Sequence, residues 1–271
     1  AARVRVERNF RTSIELVNQY LLRIVRTDLP NVPESVLLRR NVASLATGFL
    51  EELWKQKPDD PETCRLAAVL YRELATLQRL VGRTLGPAYG RAVGLLRRAG
   101  ALRPDEPRYR DLLAETLQDL ASSLQVENRP AAAEPHLREA VQIVRGLRGE
   151  APDRVDYLRT EARASNGLAN NLLLTGRFDE AADLARRAVA IMTPLADSDA
   201  PGPTDALEVI LYQDSLGEAE LGRSRHPEAE AALGAALRRI EAALAGSPDS
   251  DDLKMLRGSA RLKRAAAVAA L

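Results

Sequence analysis

Apolar residues recur along this chain at the spacing of one helix face, segment after segment. Phe10, Ile14, Val17, Leu21 and Ile24 alternate steps of three and four residues and predict a helix over 3–28. The Pro-containing break from Asp28 to Pro33 ends it, because each Pro disfavours helix in the residue before it. Leu38, Val42, Leu45, Phe49, Leu53 and Trp54 predict a second helix over 34–57. Lys57-Pro58-Asp59-Asp60-Pro61 then punctuates the chain, with Asp60 suited to cap the next helix and Pro61 pre-set for its first position.

Beyond that point the pattern repeats. Arg103-Pro104-Asp105-Glu106-Pro107 restates the punctuation 46 residues on, and Leu74-Ala75 recurs at that offset as Leu120-Ala121. The period then settles at 48: Leu120-Ala121 becomes Leu168-Ala169 and Leu216-Gly217, while Arg129 becomes Arg177 and Arg225. Ala133, Ala140 and Val141 become Ala181, Ala188 and Val189, then Ala229, Ala236 and Leu237. Each copy reads as a helical hairpin with a turn such as Thr175-Gly176-Arg177 between its helices. Small residues at the paired slots let the two backbones approach. Asp197 to Pro203, rich in Asp, Ser and Pro, is expected to be a flexible loop between units.

One hairpin cannot bury its own apolar face, whereas stacked neighbours can. The chain is therefore expected to be all-α, a right-handed α-solenoid of extended 46–48-residue hairpins with a concave groove. Its expected divisions are an N-terminal hairpin cap at 1–57, repeats at 58–103, 104–151, 152–199 and 200–247, and a terminal half-repeat at 248–271. The Leu-Ala/Gly pair, the turn and the two alanines seven apart resemble the tetratricopeptide repeat (TPR), whose usual period is about 34 residues.

Composition narrows the function more than the fold. A net charge of +1 provides no field for nucleic acid or an anionic membrane surface. No apolar run reaches the roughly 18 residues of a membrane span. The single cysteine, Cys64, excludes an intrachain disulfide framework, and its place near a helix start fits a semi-buried thiol without redox work better than a reactive one. His136 and His226 lack companions at ligand spacing, so no metal is expected; His226 opens a helix. No phosphate loop, nucleophile–base pair or catalytic motif is present, and neither enzyme activity nor a cofactor is expected. Gly86, Gly90 and Gly94 are expected to serve close helix packing, and Trp54 with Phe49 the core of the cap. The opening Ala-Ala, without Met, is read as an excised fragment.

Residues flanking the Leu-Ala/Gly pair by phase define the expected groove face of each first helix. They are Arg72, Thr76 and Arg79; Gln118, Ser122 and Gln125; Asn166 and Asn170, with Leu173; and Asp214 and Glu218, with Leu221. Amides and hydroxyls suit an extended peptide backbone, which needs donors and acceptors together. The sets also run from basic through neutral to acidic. Asn166, Asn170 and Asn171 sit mid-helix at a cost in helix propensity, with Asn171 expected to point away from the groove. A solvated helix face that merely collects polar residues is the plainer alternative.

A broader resemblance covers nearly the whole chain. FRTSIELVNQYLLRIV, a Pro-containing break, LLRRNVASLATGFLEELWKQKPDDP and then long units with Gly-Arg turns such as TGRFDEA are similar to the C-terminal region of planctomycete-type bacterial Ser/Thr protein kinases. The resemblance implies a parent kinase whose catalytic domain and membrane span lie outside this chain. It further implies a regulatory, sensory-docking region on the extracytoplasmic side of the membrane; without that resemblance the expected location is cytoplasmic. The expected partner is a protein or peptide segment in the groove. Self-association that brings attached domains together is the alternative.

Overall fold

A computed structural model describes residues 60–80 and 86–271, together with single helical positions between Leu38 and Lys55. Apart from those positions, among which Leu38 and Leu45 of the expected apolar face are exposed, the helices expected over 3–28 and 34–57, the packing of Phe49 and Trp54, and the side chain of Arg79 lie outside the described residues. Those described residues form helices joined by short turns, with no strand among them. The helices are α1 (Pro61–Leu80), α2 (Gly86–Leu102), α3 (Pro107–Val126), α4 (Pro130–Glu150) and α5 (Val155–Leu174). They continue with α6 (Phe178–Ala196), α7 (Asp205–Gly222), α8 (His226–Gly246) and α9 (Asp251–Ala269). The chain divides into two compact units, one ending at Glu127 and the other starting at Asn128, so the division falls inside the expected repeat 104–151.

In the first unit α1 pairs with α2, and α3 packs on α2. Asp60 caps α1 as its sequence suggests: its Oδ2 accepts from the Thr63 N–H at 2.7 Å and from the Thr63 hydroxyl at 2.6 Å. Cys64 of α1, Ala99 of α2 and Tyr109 of α3 form one buried cluster. Cys64 is fully enclosed, deeper than the semi-buried position expected, which suits an inert thiol. Gly90 and Gly94 face open space, and a Cβ at Gly86, Gly90 or Gly94 would meet nothing within 4 Å. Among the described residues the close packing expected of these glycines is absent, because α2 buries the intervening Ala88, Tyr89, Ala92 and Val93 instead.

In the second unit α5 packs between α4 and α6, α7 between α6 and α8, and α9 lies on α8. The apolar face of α4 buries Ala133, Leu137, Ala140, Val141 and Val144, as its spacing requires. One cluster joins Ala162, Ala188, Met192, Val209 and Tyr212 across α5–α7; another joins Ile210, Leu237, Ile240, Leu244 and Ala260 across α7–α9. Gly217 and Gly222 permit close approach, since a Cβ at the first would lie 2.4 Å from Leu233 Cγ and one at the second 2.3 Å from Phe178 Cδ1.

The hairpin turns share one geometry. Asn128, Gly176 and Ser224, 48 residues apart, all take positive φ, at 57°, 74° and 58°. In the two later turns the Arg177 N–H donates to Leu172 O and the Arg225 N–H to Glu220 O, each at 2.9 Å. That is the Schellman closure, which ends a helix by satisfying carbonyls it would otherwise leave open. The loop between α6 and α7, expected to be flexible, is tethered by side chains at both ends. Arg239 holds Asp197 at 2.7 and 2.8 Å, and the Gly202 N–H donates to Asp205 Oδ2 at 2.7 Å.

Candidate functional site

The polar face of the first helices is built separately in each unit. In the first, Arg72 reaches from α1 to α3 and donates to Asp119 Oδ2 at 2.7 and 3.0 Å and to Glu115 Oε2 at 3.1 Å. The Thr76 hydroxyl turns back on its own helix to Arg72 O at 3.1 Å, and the Gln118 amide turns to Ala114 O at 3.3 Å. Ser122 is exposed and Gln125 half-buried. The basic start expected at Arg72 is therefore neutralised by two carboxylates.

In the second unit successive first helices are cross-linked by pairs 45–49 residues apart. Arg159 forms a two-armed pair with Asp205, both contacts 2.9 Å, and Arg163 meets Glu208 at 2.7 Å. Asp205 is 1% exposed. The Arg159 hydrogen bonds hold its carboxyl below the usual aspartate range, against the opposing effect of burial and with help from the Gly202 N–H. Further on, Lys263 of α9 donates to Asp214 at 2.7 Å and to Glu218 at 2.6 Å. Burial works against the Lys263 charge, but these two carboxylates carry its pKa above the ordinary lysine value. The acidic end of the expected gradient is thus partly compensated too, and no simple basic-to-acidic run survives.

The three asparagines separate. Asn171 is fully buried and donates from Nδ2 to Pro130 O at 3.1 Å, tying α5 to the first residue of α4. That bond accounts for its mid-helix cost. Asn166, expected on the groove face, is instead 6% exposed with its Oδ1 enclosed and unpartnered. The reason is geometric: four residues on a helix turn the side chain by about 40°, and α5 is covered on so many sides that its exposed arc is narrow. Only Asn170 stays exposed.

Helix phase does not disclose the setting of Asn170. The buried Ser215 hydroxyl donates to Asn170 Oδ1 at 2.8 Å and also approaches Leu211 O at 2.9 Å. The Asn170 Nδ2 donors have no partner among the described residues. Leu207, Leu211 and Ser215 share one face of α7 at i, i+4 and i+8, and both leucines are exposed, at 42% and 37%. A fixed amide donor therefore sits beside a short apolar strip. The sequence signal for Ser215 and Lys263 lies in the 45–49-residue spacing of complementary side chains.

Among the described residues no group of His, Cys, Asp or Glu is arranged to hold a metal ion, and no helix is long and apolar enough to cross a membrane. His226 begins α8 half-buried, with its Nδ1 enclosed and unpartnered.

The family model for the tetratricopeptide repeat matches residues 162–193, from α5 through most of α6. No curated protein matches the sequence. Among solved structures, BtubC (BKLC) from P. vanneervenii superimposes with a TM-score of 0.54 at 19% identity, over 88% of this chain and 92% of that one. A Podosopora anserina protein named as a kinesin light chain, with nearly identical TPR-like repeats, gives 0.52 at 18% identity over 89% and 97%. The S. pombe nuclear import adaptor Nro1 gives 0.58 at 12% identity over 96% and 94%. These likenesses concern the fold. With the hairpins described above, they make this an all-α chain carrying a TPR-like repeat region.

Proposed function

We propose that the chain is a non-catalytic interaction module that binds an extended peptide or protein segment along the first-helix face of its second unit. The observation that carries this reading is the Asn170 amide, anchored by Ser215 and presented beside Leu207 and Leu211. A pre-oriented donor loses little entropy on meeting a backbone carbonyl, and the leucines offer a seat for one apolar side chain. Short peptides selected by display on the 271-residue chain test it. Asn170→Ala and Leu211→Glu should each weaken a selected peptide at least tenfold while moving the melting midpoint by no more than about 2 °C. Equal binding by both variants would sink the assignment.

The resemblance to planctomycete-type kinases supports a finer reading, in which this module is the regulatory docking region of a bacterial Ser/Thr kinase. Under that reading it would lie on the extracytoplasmic side of the membrane. The parent reading frame decides this, and a frame without a kinase domain would remove the kinase role.

One observation favours the second reading, self-association. Met255, Leu262 and Val268 of α9 are 69%, 76% and 50% exposed, and Val268 borders a groove of about 750 Å³ between α8 and α9. A mass measurement at high micromolar concentration distinguishes the two. A dimer abolished by Leu262→Glu would support association, and a monomer would exclude it.

A further inference from the structure

At the 48-residue register, Leu113 of α3, Glu161 of α5 and Val209 of α7 occupy the same slot. Leu113 and Val209 are core residues, and Glu161 is buried just as deeply, at 0% exposure. A carboxylate where the fold asks for an apolar side chain is costly unless it is paired. Such a local conflict marks a place with another purpose.

Three arginines from the flanking helices converge on it. Arg148 of α4 donates to Oε2 at 2.7 Å. Arg187 of α6 donates from Nε to Oε1 at 2.7 Å, with its Nη2 2.6 Å from the same oxygen. Arg145 of α4 stands 3.6 Å from Oε1 through its Nε. At the repeat offsets of 46 and 48, the slot of Arg148 holds Leu102 and Ala196 in the neighbouring repeats. The slot of Arg187 holds Glu139 and Ala235, so the constellation is particular to the junction of repeats 104–151 and 152–199.

Charge and geometry both exceed what burying Glu161 requires. One guanidinium balances one carboxylate, and two positive charges are left over. Arg148 and Arg187 already satisfy one oxygen each, and Arg145 adds no hydrogen bond at its distance. The three side chains are 35–45% exposed. Arg145 Nη1 and Nη2, Arg148 Nη2 and Arg187 Nη1 have no partner among the described residues.

We propose that Arg145, Arg148 and Arg187, gathered around Glu161, form a binding site for a dianionic tetrahedral oxyanion of the phosphate class, free or as a phosphate monoester. Two surplus charges match a dianion, and guanidinium forks match the spacing of phosphoryl oxygens. Glu161 acts from below, fixing Arg148 and Arg187 so that these two lose little side-chain freedom on binding. This site is independent of the peptide-binding face around Asn170.

Calorimetric titration of the whole chain with inorganic phosphate, against sodium chloride at matched ionic strength, tests it. Saturable binding is expected, weakened at least tenfold in Arg145→Gln, whose melting midpoint should stay unchanged because Arg145 makes no hydrogen bond to Glu161. Arg145→Lys, which keeps the charge and loses the fork, should weaken binding several-fold and serves if the glutamine variant melts early. Tighter binding of O-phosphoserine than of phosphate identifies a monoester as the source, and equal or weaker binding identifies the free ion; either supports the site. Absence of saturable binding over the chloride control, or undiminished affinity in both variants, overturns it.

Discussion

At the scale of single residues, glycines show how context sets the sign of one substitution. Gly94 lies in the middle of α2, exposed, with nothing within 4 Å of the place a methyl group would take. Gly94→Ala should stabilise the protein by about 1 kcal/mol, because only the backbone entropy of the unfolded chain changes. Gly217 sits equally inside α7, but a Cβ there would press into Leu233 at 2.4 and 2.7 Å, and Leu233 is fully buried. Gly217→Ala gains the same propensity and loses more to overpacking, for a net cost of about 1–2 kcal/mol. Thermal melts of the two variants should therefore move in opposite directions. A rise for both would mean that the α7–α8 contact yields more easily than its geometry implies.

At the scale of elements, the hairpin turn is the clearest case of sequence setting structure. Gly176 takes φ of 74° without penalty, whereas Ser224 takes φ of 58° in the equivalent turn with a Cβ in the way. Ser224→Gly should stabilise the α7–α8 hairpin by about 1 kcal/mol, and Gly176→Ala should cost a similar amount at the α5–α6 turn. Denaturant melts with unchanged slopes would register both. These turns, the helix faces and the 48-residue register are legible in the sequence because each depends on local geometry that the sequence repeats. What a helix meets on its other sides is not. A one-sided stripe is expected for α5, yet α4, α6 and α7 surround it, enclosing Glu161, Ser165, Asn166 and Asn171 as well as the apolar positions. Phase alone places Asn166 beside Asn170 on an open face. It does not show that the accessible arc narrows to Arg163, Asn170 and their neighbours. Glu161 escapes the same reasoning because it lies two turns before the Leu-Ala pair, in a core slot where phase leads one to expect an apolar side chain.

At the scale of the whole molecule, the second unit is held across its repeats by carboxylates as well as by its apolar clusters. Glu134 and Glu180 bridge α4 and α6 through Arg138 and Arg177, Asp205 joins α7 to α5 through Arg159, and Asp197 joins its linker to α8 through Arg239. Hydrogen bonds from these arginines lower all four carboxyls from their ordinary values of 4.5 for glutamate and 3.8 for aspartate. A carboxyl with a depressed folded-state pKa contributes stability that is complete above its unfolded value and disappears as pH falls through the folded value. Stability from these groups should thus be level between pH 7 and about 5, then fall from roughly pH 4 downward. Asp205 dominates, since it is 1% exposed, whereas Glu180 and Asp197 are about half exposed and screened by water and salt. Asp205→Asn removes the charge and leaves the partly exposed Arg159 to rehydrate, for a cost of about 2 kcal/mol at pH 7. That corresponds to a midpoint lower by roughly 4–8 °C. The variant should then lose less than the parent between pH 5 and pH 3, so the two melting curves converge in acid. Parallel curves over that range would show that the Arg159–Asp205 pair is not what couples proton binding to the stability of the repeat stack.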